Sequence, residues 1–212
     1  MRKNKMPVDY TLYLVTDRGI LKGKDLFSAV EEAIAGGVTL VQLREKSISS
    51  LDFYNIALRL KEITGYHGVP LIINDRLDIA LAVDADGLHV GQEDLPVREA
   101  RRLLGEDKIL GYSVSTAGEA VFGQQNGADY LGAGPVYPTG SKDDAAPPIG
   151  IDTLKKIKHS VSLPVVAIGG IGAANMKEVK ASGVDGVSVI SAILGSADIK
   201  GSSGKLADLW KG

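Results

Sequence analysis

The chain has 212 residues, 44% of them apolar and 24% charged, with 24 Lys and Arg against 26 Asp and Glu for a net charge of −2. That balance supplies no basic field for nucleic acid, and the lack of cysteine excludes disulfides, thiolate zinc sites and a cysteine nucleophile. The basic leader MRKNKMP runs into an apolar stretch too short for a signal core or a membrane span, so a cytoplasmic protein with no membrane partner is expected.

Short apolar runs recur along the chain, at residues 10–17, 37–45, 69–76, 86–94, 109–115, 128–136, 164–170 and 186–193. Most are nearly continuous in Val, Ile and Leu, as strands covered on both faces require. Helical patterns fill the gaps. Asp25 stands as an N-cap before the stripe Leu26, Val30, Ala33, Ile34. Further helices are expected over 50–63, 97–104 (after Pro96), 116–125, 152–159 and 175–181, with room for only a short one at 77–83. The phrases AGGVTLVQL, VDADGLHVG, QNGADYLGA and ASGVDGVSV repeat one helix-to-strand corner, with glycine suited to a left-handed cap. Eight strands alternating with helices in this length predict a compact (β/α)8 TIM barrel with a parallel sheet. One domain over 1–212 is expected: a leader at 1–9, the barrel over about 10–193, and a short final helix and tail at 194–212. An open doubly wound sheet is the alternative, and the first strand lacks its G-x-G-x-x-G turn.

Barrels of this kind place their sites at the C-terminal strand ends. Strand 2 ends in Gln42, Arg44 and Lys46, whose alternate spacing sets them on one face. Strand 3 ends in Asn74-Asp75-Arg76 and strand 4 in Gln92-Glu93-Asp94. On adjacent strands about 4.8 Å apart, Asp75 and Asp94 could share one magnesium ion, a cation that takes oxygen ligands. Each aspartate could instead cap the helix that follows it. Strand 5 ends in Ser113 and Ser115; with no histidine near them in sequence, a nucleophilic triad is not expected. After strand 6 come Thr139, Gly140, Ser141 and Lys142, able to donate to a phosphate. Gly170 after strand 7 and Ile190-Ser191 at strand 8 fit a second anion site. The inventory is two anion sites and one cation, as two phosphorylated reactants would need. His89, inside strand 4, is expected to be a structural histidine rather than a base, and Trp210 a packing residue.

The segments QLREK, INDRLDIALAVDADGLHVGQED, GADYLGAGPVYPT and PVVAIGGI with GVDGVSVISAI are similar, in order and spacing from about Tyr10 to Ile193, to the thiamine phosphate synthase family. The resemblance implies a magnesium-dependent transferase that joins a pyrimidine methyl diphosphate to a thiazole (or carboxythiazole) ethyl phosphate by a dissociative route. It implies that Gln42, Leu43, Arg44, Glu45, Lys46, Asn74, Ser113 and Lys142 hold the diphosphate, with Arg44, Lys46, Ser113 and Lys142 catalytic. It further implies that Asp75 and Asp94 hold one magnesium ion, and that Thr139, Gly140, Ser141, Gly170, Ile190 and Ser191 hold the thiazole phosphate. Partners would be small phosphorylated molecules, and a homo-oligomer is compatible with the reading. Ser115 stands where the family often has His, and Ser141 where it usually has Thr. The first change argues against a related thiazole tautomerase.

Overall fold

The computed structural model describes residues 7–140 and 147–212. Eight parallel strands close into a barrel in chain order: β1 (Leu12–Val15), β2 (Leu40–Leu43), β3 (Leu71–Asn74), β4 (Gly87–Val90), β5 (Ile109–Val114), β6 (Tyr130–Ala133), β7 (Val165–Ile168) and β8 (Gly186–Val189). β8 returns to β1 with Leu12 opposite Val187, so the sheet has no edge. The helices are α1 (Leu26–Ala35), α2 (Ser50–Tyr66), α3 (Leu77–Ala82), α4 (Val97–Leu104), α5 (Ala117–Gln125), α6 (Gly150–Ser160), α7 (Met176–Lys180), α8 (Ser191–Leu194) and α9 (Ile199–Lys211). The expected barrel is therefore the observed one. No helix among the described residues is long and apolar enough to cross a membrane.

Alternation along each strand builds two cores. Outward residues such as Leu14, Leu43, Ile73 and Leu131 pack against the helices. Inward residues form a smaller plug of Tyr13, Leu40, Ile72, Ile109, Tyr130 and Val166, closed beneath by Tyr10. Above the plug the inward positions turn small or polar: Gln42, Asn74, His89, Gly111, Ser113, Gly132 and Ser188. The barrel is filled at its N-terminal end and hollow at the other.

The recurrent corner phrases have a common physical role. Each precedes an even-numbered strand, and its last polar residue clamps the start of the strand before it. Asp86 donates its N–H to Leu71 O at 3.0 Å and accepts from Leu71 N at 2.8 Å. Asp129 does the same with Leu110 (2.7 and 2.8 Å), and Asp185 with Val165 (2.8 and 2.7 Å). Thr39 plays the part for Leu12 through its hydroxyl at 3.1 Å. A cation from the preceding even-numbered helix neutralises each carboxylate: Lys61 on Asp86, Arg101 on Asp129 and Lys158 on Asp185. The left-handed residue that opens the corner is Gly37, Gly127 or Gly183, and Asp84 in the second copy.

The end of the chain departs from expectation. In place of the short final helix expected within 194–212, α9 runs 13 residues from its N-cap Asp198, whose side chain accepts from Gly201 N. The run GSSG has poor helix propensity, but it lets α9 press against α1. A Cβ on Gly36 would lie 2.4 Å from Lys200 O and 2.6 Å from Ser203 Cβ. Close packing overrides propensity here. Trp210 packs against the outer core as expected.

Candidate active site

The hollow end of the barrel opens into a cavity of about 900 Å³. From β2, Arg44 and Lys46 border it. Arg44 Nη1 lies 4.0 Å from Asp17 Oδ2, and Lys46 Nζ bonds Asp75 Oδ2 at 2.7 Å. The three other residues of the 42–46 run do not border the cavity. β2 ends at Leu43, so Gln42 lies deeper than expected, buried with its amide donating to Tyr13 OH at 2.6 Å. Leu43 faces the helix layer. Glu45 receives both Nε and Nη2 of Arg18, at 2.7 and 3.0 Å.

Asn74 and Asp75 close β3 at the cavity wall. Asp75 holds φ at 61°, a conformation aspartate tolerates better than most residues. Its carboxyl interacts with that of Asp94, and the pair is driven apart in acidity. Burial pushes Asp75 up, but Asp94 and the Lys46 ammonium outweigh it and keep it below the ordinary carboxylate range. Asp94 is pushed up by burial and by Asp75. Neither aspartate caps a helix. The N-caps of α3 and α4 are Arg76 and Pro96, without side-chain cap bonds, while Asp94 Oδ2 accepts from Gly91 N at 2.7 Å. Two carboxylates on one cavity wall, one of them paired with a lysine, form an all-oxygen donor set. That suits a hard divalent ion completed by ligand oxygens and water. Among the described residues no group of three or more His, Cys, Asp or Glu could hold a metal, so a protein-only cage is absent there.

Ser113 borders the cavity on β5, and its Oγ lies 2.9 Å from His89 Nε2. Separation in sequence, 24 positions, concealed this pair. His89 Nδ1 meets Tyr130 OH at 2.9 Å, a phenol where the triad arrangement sets a carboxylate. Ser115 turns away: its N and Oγ bond Glu119 Oε2 at 2.6 and 3.0 Å, beside the capping box that starts α5 at Thr116. Its difference from the family pattern thus falls outside the cavity lining.

The opposite wall is backbone and small side chains: Thr139, Gly140, Gly170, Ile190 and Ser191. Gly170 has φ of 64°, and a Cβ there would lie 2.6 Å from Pro138 O. Glycine is therefore what lets the loop after β6 cross the loop after β7. Ser141 and Lys142 lie outside the described residues. Gln92 and Ser188 also line the cavity, although the sequence reading gave neither a role. Gln92 bridges Ser113 O (2.8 Å) and Tyr112 OH (2.9 Å). Ser188 is 4% exposed and borders the cavity, and its buried Oγ has no hydrogen-bond partner among the described residues. Strand parity would have found it, two residues before Ile190. A buried orphan hydroxyl facing a cavity requires a ligand or water to satisfy it.

A family profile described as thiamine monophosphate synthase matches residues 12–193. The chain belongs to that family. A thiamine-phosphate synthase from Desulfitobacterium hafniense is 60% identical over 206 residues, covering 97% of this chain and 100% of that one. One from Clostridium botulinum is 57% identical over 195 residues, covering 92% and 95%. The solved thiamine phosphate pyrophosphorylase from Pyrococcus furiosus superposes with a TM-score of 0.88 at 40% identity, covering 96% of each chain. Membership of the thiamine monophosphate synthase family makes the chain an enzyme, a transferase of thiamine biosynthesis.

Proposed function

We propose that the chain condenses 4-amino-2-methyl-5-(diphosphooxymethyl)pyrimidine with a thiazole or carboxythiazole ethyl phosphate, giving thiamine monophosphate and pyrophosphate, in the cytoplasm. One observation carries the reading. A single cavity has a cationic, carboxylate-bearing wall at Arg44, Lys46, Asp75 and Asp94 facing a neutral wall of glycine and small hydroxyls at Thr139, Gly140, Gly170 and Ser191. The first suits a diphosphate, the second a monophosphate.

In the proposed reaction the methylene C–O bond breaks first, and its electron pair leaves on the diphosphate oxygen. The resulting pyrimidine methyl cation is captured by the lone pair of the thiazole nitrogen, which forms the new C–N bond; a carboxythiazole then loses carbon dioxide. Arg44 and Lys46 stabilise the charge that gathers on the leaving group, and Asn74 and Ser113 donate hydrogen bonds to it. Lys142 is assigned to the same task on sequence grounds. Asp75 and Asp94 would hold a magnesium ion, whose chemistry is neutralisation of diphosphate charge. The facing wall fixes the thiazole phosphate and so brings the ring nitrogen to the cation. No residue attacks covalently, which agrees with a histidine that meets Ser113 Oγ through Nε2 and a tyrosine hydroxyl through Nδ1.

Purified protein mixed with both phosphorylated halves should form thiamine phosphate and pyrophosphate in equal amounts with magnesium, and almost none after chelation. Asp94→Ala should stay folded by circular dichroism and lose most of the activity; full activity in that variant would remove the metal assignment.

A further inference from the structure

The inside of the barrel carries a polar chain of which the proposed chemistry uses only the last member, Ser113. Gln42 Nε2 meets Tyr13 OH at 2.6 Å, Tyr13 OH meets Tyr130 OH at 2.8 Å, Tyr130 OH meets His89 Nδ1 at 2.9 Å, and His89 Nε2 meets Ser113 Oγ at 2.9 Å. Room for it is provided by glycine. A Cβ on Gly111 would lie 2.2 Å from Tyr130 Cζ and 2.3 Å from His89 Nδ1, and one on Gly132 3.1 Å from His89 Cε1.

The direction of this chain follows from counting protons. A glutamine Nε2 only donates, so Tyr13 OH accepts from Gln42. If Tyr130 also donated to Tyr13, the Tyr13 proton would have no acceptor among the described residues, in a side chain that is fully buried. An unmet buried donor costs about 1–3 kcal/mol. Tyr13 therefore donates to Tyr130, and Tyr130 to His89 Nδ1. A neutral imidazole that accepts at Nδ1 carries its proton on Nε2 and donates to Ser113 Oγ. The serine's own proton then has no acceptor among the hydrogen bonds of the described residues and is directed to the cavity. Burial holds both tyrosine hydroxyls well above their ordinary range, so neither loses its proton at neutral pH.

We propose that Tyr13, Tyr130 and His89 are positioning residues that fix the Nε2–H tautomer of His89 and so keep the Ser113 hydroxyl a donor to the departing diphosphate. Its catalytic consequence rests on the reaction proposed above, and the tautomer itself does not. Neither tyrosine borders the cavity, so each can act only through the chain.

Two measurements test it. The protein has three histidines, and 15N spectra of histidine-labelled protein should show His89 as one Nε2–H tautomer; an Nδ1–H form overturns the proposal whether or not the protein is active. In Tyr130→Phe the tautomers should mix. Steady-state rates supply the second measurement. Tyr130→Phe should lower kcat about tenfold, the equivalent of one transition-state hydrogen bond, with both KM values within twofold. His89→Gln, which keeps an N–H for Ser113, should retain more of kcat than His89→Ala. In a Ser113→Ala background Tyr130→Phe should cost nothing further, and an equal loss in both backgrounds overturns the proposal. If wild-type protein makes no thiamine phosphate while His89 is the Nε2–H form, the reaction falls and the chain stands. Should Tyr130→Phe not fold, Tyr13→Phe in the same cycle decides the point, with a smaller loss that again must vanish without the serine hydroxyl.

Discussion

Ser113 is the residue on which two roles converge, as the end of the buried chain and as a donor at the cavity wall. Ser113→Ala removes a donor that is aimed before the reaction begins. It should cost about 3 kcal/mol of transition-state stabilisation, a hundredfold or more in kcat, while the melting temperature moves little; single-turnover rates and thermal unfolding check both halves. The sequence was informative at this scale where a polar residue interrupted an apolar run. Gln42, Asn74 and Asp75 showed themselves that way. It was misleading where partners are distant: His89 and Ser113 are 24 positions apart and side by side in space. Ser188 was passed over because serine in a strand has many harmless explanations. Only a closed barrel makes its orphan hydroxyl conspicuous.

At the scale of the element, β5 shows how a strand makes space. Gly111→Ala would drive a methyl into Tyr130 and His89, with no flexible side-chain end to yield. A destabilisation of about 2 kcal/mol is expected, in the range for overpacked cores, together with a fall in kcat because His89 must move. Urea unfolding and steady-state rates test the two effects. Strand and helix order was legible because continuous apolar runs, the cap at Asp25 and Pro96 each act within a few residues. The full length of α9 was not. Its GSSG run is weak as an isolated helix and becomes helical because only small residues let it approach Gly36. That is information held in another part of the chain.

Across the whole molecule, stability and chemistry occupy opposite ends of the barrel. The clamps at the N-terminal end should matter in proportion to how dry their cations are. Arg101 is 9% exposed in its side chain, against 27% for Lys61 and 23% for Lys158. Asp129→Ala strands a buried guanidinium and should cost about 3 kcal/mol. Asp86→Ala and Asp185→Ala release lysines that return to water, and should cost about 1–2 kcal/mol for the lost backbone bond. Chemical unfolding ranks the three, and the two milder variants should keep kcat unchanged. The recurrence of the corner phrases was visible in the sequence, but the carboxylate clamp was not, since its partners are a strand away. The clamps join β1 to β2, β3 to β4, β5 to β6 and β7 to β8, while the intervening junctions begin with plain main-chain bonds such as Val41 N to Pro70 O and Leu131 N to Pro164 O. The ring is therefore built like a cask of four double staves, riveted at the foot within each stave and merely abutted between them, and any breathing of the wall runs along the seams.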